Sequence, residues 1–377
     1  MTTPSVPPRK PRGARRWVLA VLLTVVGLLA AVAALVIVVD PFQHYRKATF
    51  FTPVIDGTRQ AYYNIGIARN YPYDTLMLGS SMTENSHPSD VEAALGGQAV
   101  NLPFSGGTLR NYAVMLDEVL PRRPLRRVLI CLDSFAMYAD PDEVPIDLPS
   151  YLYDHTLLTD VSYWFNIGVL ERIWEVYQVN REGLRSELNL DTLYEWDGQV
   201  NYGRELVLTG HTFPPGDPLP PIPREGRVEE VRGNIERHLL HYIDAYPETE
   251  FIFYFPPYSQ LQWYTDYMNG LLDRQMYYRE RYAEALLSRP NVRLFDFQAV
   301  EEWVCDLDNY KDMAHHSGEI NARIIEAIGQ DAYRLYSMEE VAQNNEVLTE
   351  LACTFVPPTP EEIKDMREFL EAYLREF

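Results

Sequence analysis

Four short stretches of this chain carry residue types that can do chemistry. "DTLMLGSSMTEN", Asp74 to Asn85, is an apolar run, Thr75 to Leu78, that stops abruptly at Gly79, Ser80 and Ser81. Two readings fit it: a serine that caps a helix, or a serine nucleophile presented at a strand-to-helix turn. "NLPFSGGTLRN" has Gly106 opening a helix, with Gly107 as its rival. Backbone N–H groups there and after the first run could bind a developing oxyanion. "ICLDSF" sets Asp133 after another apolar run. "NYKDMAHHSGEIN" contains Asp312-Met313-Ala314-His315. A three-residue separation puts Asp312 and His315 on the same side of one turn. The aspartate can then hold the imidazole tautomer and leave the other ring nitrogen to take a serine proton. His316 is the neighbouring rival base and lacks that spacing. Together the pattern is a set of one serine, Ser80 or Ser81, with His315 and Asp312.

These residues need a scaffold that brings them to one edge. Short apolar runs at Thr75–Leu78, Gln98–Leu102, Arg127–Leu132, Glu250–Phe255 and Val292–Phe297 alternate with helix-like segments. The helical segments are Pro88–Leu95, Thr108–Leu120, Tyr264–Leu287 and Gly318–Ile328, with Ser86 or Ser89 available to cap the first. Continuous apolar strands alternating with helices predict an α/β three-layer sandwich around a mostly parallel sheet. Ligands of such sheets sit at the carboxyl ends of the strands, where all four stretches fall. The third and fourth runs lie more than a crossover apart. Residues 139–226, rich in Tyr, Trp and Pro, therefore read as an insertion, either a lid or substrate-binding subdomain or a structural cap without substrate contact. "YFPPYSQLQWY" follows the fourth run, so Tyr258 or Trp263 could line the site and stack on a sugar, or simply pack. Residues 330–377 read as an acidic helical C-terminal extension.

The chain has 377 residues, 46% hydrophobic and 12% aromatic, which suits a large globular body. Its net charge is -21. Residues 1–16 carry five basic side chains and no acid, leaving 28 basic against 54 acidic groups in the rest. So acidic a body repels phosphate, which excludes a nucleic-acid surface. Trp17–Val39 is uncharged and long enough to cross a hydrocarbon core about 30 Å thick. The basic tail ahead of it predicts a cytoplasmic N-terminus and a single-pass cell-membrane anchor, with everything after it outside. A cleaved signal peptide, ending near Ala31-Val32-Ala33, is the rival; the apolar run past it to Val39 favours the uncleaved anchor. Residues 40–73 read as a juxtamembrane connector and 74–329 as the α/β domain. Three cysteines form no disulfide framework; Cys131 reads as a buried thiol, and Cys305 and Cys353 could pair. His238 and His241 stand at helical spacing without a supporting carboxylate or thiol, which reads as a solvated face rather than a metal site. No P-loop or dinucleotide fingerprint occurs, and no cofactor or metal is expected.

The ordered blocks resemble the SGNH/GDSL family of serine hydrolases. Gly79-Ser80-Ser81-Met82 matches the nucleophile block, with Ser80 in place of its aspartate; the resemblance implies Ser81 as the nucleophile of a Ser81–His315–Asp312 triad and Ser80 as a structural hydrogen-bonding residue. Gly106 matches the second block, and Asp312 with His315 the last. The resemblance covers about Asp74 to Ile328, without the insertion, and implies the flavodoxin-like layout of that family. The third block departs from it, because Asp133 stands near where an oxyanion-binding asparagine belongs, and an ionised aspartate cannot donate. The layout is similar to membrane-anchored bacterial cell-envelope proteins, of the teichoic-acid D-alanyl transfer and alginate O-acetylation type. That implies a serine esterase or O-acyltransferase acting on O-acyl groups of a surface polymer or glycan. It also implies a multi-spanning membrane acyltransferase as partner. A non-catalytic accessory or glycan-binding module on the same fold is the alternative.

Overall fold

A computed structural model describes residues 12–181, 183 and 188–373. The outermost part of the basic tail, with Arg9 and Lys10, lies outside the described residues. The chain divides into two compact units, one of Met1–Val54 with Ser150–Glu187 and one of Ile55–Pro149 with Leu188–Phe377. The expected insertion is thus shared between them: its middle belongs to the first unit and its flanks to the second.

The first unit starts with a helix, Arg12–Val39. Residues Gly13–Val39 are long and apolar enough to cross a membrane, and an 18-residue window has a mean hydropathy of 3.0. The helix ends on Asp40, whose buried carboxylate accepts the N–H groups of His44, Tyr45 and Arg46 at 2.9, 2.8 and 3.1 Å. The Tyr163 hydroxyl adds a fourth bond at 3.0 Å. A carboxylate with four donors can stay buried, because its lost hydration is replaced. Asn180 then fastens Thr52 by accepting its N–H at 2.7 Å and donating to its carbonyl at 3.0 Å.

The second unit contains a six-stranded sheet. The strands are β1 (Thr75–Leu78), β2 (Ala99–Asn101), β3 (Arg127–Cys131), β4 (Glu250–Phe255), β5 (Val292–Asp296) and β6 (Arg334–Leu335). Their order is β2-β1-β3-β4-β5-β6, the first five parallel and β6 antiparallel on the edge. Every residue of β1 and β3 is buried, as strands covered by helices on both faces must be. The register sets Met77 beside Leu129 and Leu129 beside Ile252. These side chains share one core with Trp263, Ile324 and Leu348, so the helix Met338–Thr354 contributes to that core. The order reverses between β2 and β3, on either side of β1. That switch opens a crevice at the strands' carboxyl ends.

The expected α/β architecture and its five parallel strands match the structure; β6, two residues without an apolar run, was not anticipated. The expected helix Tyr264–Leu287 is two helices, Gln260–Met268 and Leu272–Leu287. Gly270 breaks them with φ +67°, and a Cβ there would lie 2.5 Å from the Pro220 carbonyl oxygen. Leu219 and Ile222 donate to the carbonyls of Met268 and Gly270, so the proline-rich strap binds the broken turn. Neither Ser86 nor Ser89 caps Pro88–Leu95; His87 holds that position, and Ser86 donates instead to Asn321 at 2.8 Å. A buried ion pair ties β5 to the helix Leu272–Leu287, and Asn345 of the helix Met338–Thr354 joins it. Arg279 grips Asp296 through both guanidinium ends, at 3.3 and 2.5 Å, and Asn345 at 2.8 Å. Removing one partner of such a pair costs about 3–5 kcal/mol.

Candidate active site

The turn after β1 is built around Gly79. A Cβ there would lie 2.3 Å from Thr83 Cγ2 and 3.1 Å from Cys131 Cβ. The chain then enters a 3-10 turn, Ser81–Thr83, and the fully buried Ser80 caps it by accepting the Met82 N–H at 3.3 Å. Ser81, half-buried, faces the other way, and its Oγ lies 2.8 Å from His315 Nε2. The two readings of the serine pair therefore divide between neighbours: Ser80 is a cap and Ser81 bonds an imidazole.

His315 comes from the loop after β5. The loop closes on itself through a bridge between Tyr310 and His316, and Lys311 donates to the His315 carbonyl at 3.1 Å. Tyr310 donates to the Pro257 carbonyl at 3.1 Å, and Ser259 Oγ to Met313 O at 2.7 Å, which ties the loop to the segment after β4. Within it, His315 Nδ1 lies 2.8 and 3.0 Å from the two carboxylate oxygens of Asp312. Asp312 Oδ1 also accepts the N–H groups of Ala314 and His315 at 2.9 and 2.8 Å. Partial burial pushes this carboxyl up, but the His315 ring and the two backbone donors outweigh it and hold the pKa at about 2. An ionised Asp312 requires a proton on Nδ1, which leaves Nε2 as an acceptor for the Ser81 proton. His316 is buried against Tyr310, away from Ser81, and burial lowers its pKa to about 4.

Among the described residues, neither the Ser81 nor the Gly106 N–H makes a hydrogen bond. Gly106 has φ +69° and is exposed, whereas Gly107 spends its N–H on Phe104 O at 2.6 Å. That distinguishes the two glycines. The Gly106 loop is pinned from outside the expected blocks. Ser105 N donates to Gln60 Oε1 at 2.6 Å, and Gln60 Nε2 donates to Glu84 Oε1 at 2.6 Å. Burial raises the Glu84 pKa, and bonds from Gln60, Ser105 and Trp196 draw it part of the way back.

Asp133, two residues past β3, is fully buried. Its Oδ1 accepts the Tyr258 hydroxyl at 3.1 Å, while the buried Oδ2 has no bonded partner among the described residues. Burial lifts its pKa to about 6, against the pull of Ser80, Tyr258 and the nearby His315 charge. Tyr258 is buried and also accepts the Ser134 N–H at 3.0 Å. Trp263 is 1% exposed inside the hydrophobic core. Neither aromatic presents a face to a sugar, which corrects that part of the expectation.

The aromatic that does reach the site is Trp196, from the second flank of the insertion. Its ring meets His315 edge-on at 6.0 Å, with Lys311 Nζ 3.8 Å from its centre. Asn85 Oδ1 accepts the N–H groups of Trp196 and Asp197 at 3.0 and 3.1 Å. Asp197 accepts the Gly318 N–H at 2.6 Å. One segment thus clips the serine turn to the histidine loop. Sequence reasoning missed Trp196 and Gln60, for which no local spacing exists, and passed over Glu84, three residues after Ser81.

Cys305 and Cys353 are free and exposed, so the pairing considered for them is not formed, and Cys131 is a buried thiol. His238 is buried and bonds the Pro141 carbonyl at 2.8 Å, not a solvated face; His241 is exposed. Among the described residues, no group of three His, Cys, Asp or Glu side chains could hold a metal.

No family model matches the chain. No curated protein matches it either. Among solved structures, one from Streptococcus pneumonia described as "a putative platelet activating factor" matches at 12% identity, with a TM-score of 0.38. The match covers 73% of this chain and 91% of that one.

Proposed function

We propose that this chain is a membrane-anchored, extracytoplasmic serine esterase or O-acyltransferase of the SGNH/GDSL type. Its substrates in this reading are O-acyl groups on a surface polymer or glycan. The observation that carries the reading is the unbroken chain from Ser81 Oγ through His315 to Asp312, with both contacts at 2.8 Å. Ser81 Oγ attacks the acyl carbonyl carbon as its proton passes to His315 Nε2. The free N–H groups of Ser81 and Gly106 are suited to receive the oxyanion. The carbonyl re-forms, the bond to the leaving alcohol breaks, and His315 returns its proton to that oxygen. Water or an acceptor hydroxyl then gives a proton to His315 and attacks the acyl carbonyl; the bond to Ser81 Oγ breaks, and His315 returns that proton to Ser81 Oγ. Asp312, ionised throughout, orients and charge-stabilises the imidazolium.

A multi-spanning membrane acyltransferase as donor partner belongs to the same proposal, as does the outward placement of the domain. It is supported by the basic tail ahead of the apolar helix. Asp133 favours a second reading, an accessory or glycan-binding module without turnover, because an ionised carboxylate supplies no third oxyanion donor.

Fluorophosphonate labelling of the full chain separates the two. The expected result is one adduct on Ser81, found by peptide mapping, and lost in Ser81→Ala and His315→Ala. A folded wild-type protein that takes up no label, with or without added membrane, would leave the accessory reading in place.

A further inference from the structure

The first unit has an apolar outer surface that acyl transfer does not use. The last turns of the N-terminal helix pack on two short helices, Val161–Trp164 and Ile167–Asn180. Val36 is fully buried in that contact region, and the Asp40 cap fixes the helix end. Beside this seat, Leu158 is 84% exposed and Ile167 71%. Val161, Phe165, Trp174 and Tyr177 are exposed as well.

The arrangement on Ile167–Asn180 is regular. At about 100° per residue, Ile167, Leu170, Trp174 and Tyr177 form one stripe roughly 80° wide. Glu171 and Gln178 border it on one side. Val169, Arg172 and Val176 face the opposite way and are buried. A helix in water turns its apolar side inward, but this one buries one face and leaves a second, aromatic stripe uncovered. Trp174 and Tyr177 stack on each other with centroids 5.3 Å apart, so the stripe is ordered rather than a set of stray side chains. Trp and Tyr are the residues enriched where hydrocarbon meets headgroups. A contiguous exposed apolar patch marks an interaction surface.

We infer that Leu158, Val161, Phe165, Ile167, Trp174 and Tyr177 form a collar that beds into the headgroup–acyl boundary of the bilayer crossed by the N-terminal helix. Continuity names the occupant: the patch belongs to the unit that seats this helix and packs against its end. The collar goes beyond the acyl-transfer reading and rests only on that helix crossing a bilayer. Interfacial burial of this kind reaches about 5–10 Å below the headgroups.

The test uses the full chain with Cys305→Ser and Cys353→Ser, in phosphatidylcholine nanodiscs. Nitroxide labels are placed singly through Leu158→Cys, Ile167→Cys and Trp174→Cys. Val26→Cys serves as the mid-helix reference and Asp217→Cys as the aqueous one. The expected result is that oxygen relaxes the three collar labels more than a water-soluble nickel chelate does, as at Val26, with the reverse at Asp217. Nickel dominance at all three, with Val26 still lipid-like, would overturn the collar alone. Protection from both relaxants would assign the surface to a protein contact and overturn it too. Nickel access at Val26 would remove the membrane reading beneath it. None of these outcomes bears on labelling at Ser81.

Discussion

Two aspartates at the carboxyl end of the same sheet meet opposite fates. Asp312 sits half-exposed in a loop that supplies two backbone N–H groups and an imidazole, and its pKa falls to about 2. Asp133 is fully buried with the Tyr258 phenol on one oxygen, and burial raises its pKa to about 6. Burial raises both; at Asp312 the imidazole and the backbone donors outweigh it, and at fully buried Asp133 the bonds present do not. A carboxylate that must hold an imidazole is surrounded by donors. One left with an unbonded oxygen changes protonation in mildly acidic solution.

The comparison breaks most visibly at Asp312. Asp312→Asn keeps an acceptor for the backbone donors but no longer enforces a proton on Nδ1. The expected loss is about 10³–10⁴-fold in fluorophosphonate labelling rate at neutral pH, with the fold retained. A rate within a few-fold of wild type would show that Asp312 does not set the tautomer. Because its folded pKa is depressed, its favourable contribution to stability is present above about pH 4 and fades as pH falls towards 2.

Asp133 has the opposite sign. Between about pH 4 and 6 the folded protein holds a proton there that the unfolded chain has released, so stability falls as pH rises through that window. Asp133→Asn removes the slope. Thermal unfolding in detergent from pH 3.5 to 7 should show variant and wild type converging at the acid end. The variant should lead by on the order of 2–3 kcal/mol at pH 7. Parallel curves would mean that Asp133 is not the group that titrates.

The smallest effect belongs to Ser80, which caps the serine turn and acts on Asp133. Ser80→Ala removes the cap on Met82, worth about 1 kcal/mol. It also removes an influence that lowers the Asp133 pKa, so the pH-dependent window should move upward. A window that stays in place would separate the cap from the carboxylate.

What could be read from sequence was what is local. β4 is a continuous apolar run, and its limits in the structure are those read from it. Asp312 and His315 are three residues apart, and their pairing needs only one turn of loop. Their meeting with Ser81 spans 234 residues, and it was readable only from the family order of the blocks together with their places after strands of one sheet. Gln60, Glu84 and Trp196 support the site through contacts that no spacing announces. Trp263 misled because position after β4 does not say which way a side chain points, and it points into the core. Gly270 gave no warning of the helix break, since a lone glycine inside a helical pattern is usually tolerated.

The Asp40 clamp also sets an order of events during synthesis. Its phenol donor, Tyr163, lies 123 residues further along the chain. At roughly 5–20 residues per second, about 6–25 seconds of elongation separate the acceptor from that donor. During that interval the sheet's first three strands are made, while the helix end waits with its seat unbuilt. The nascent chain therefore completes its first unit only after about a third of the second has been translated.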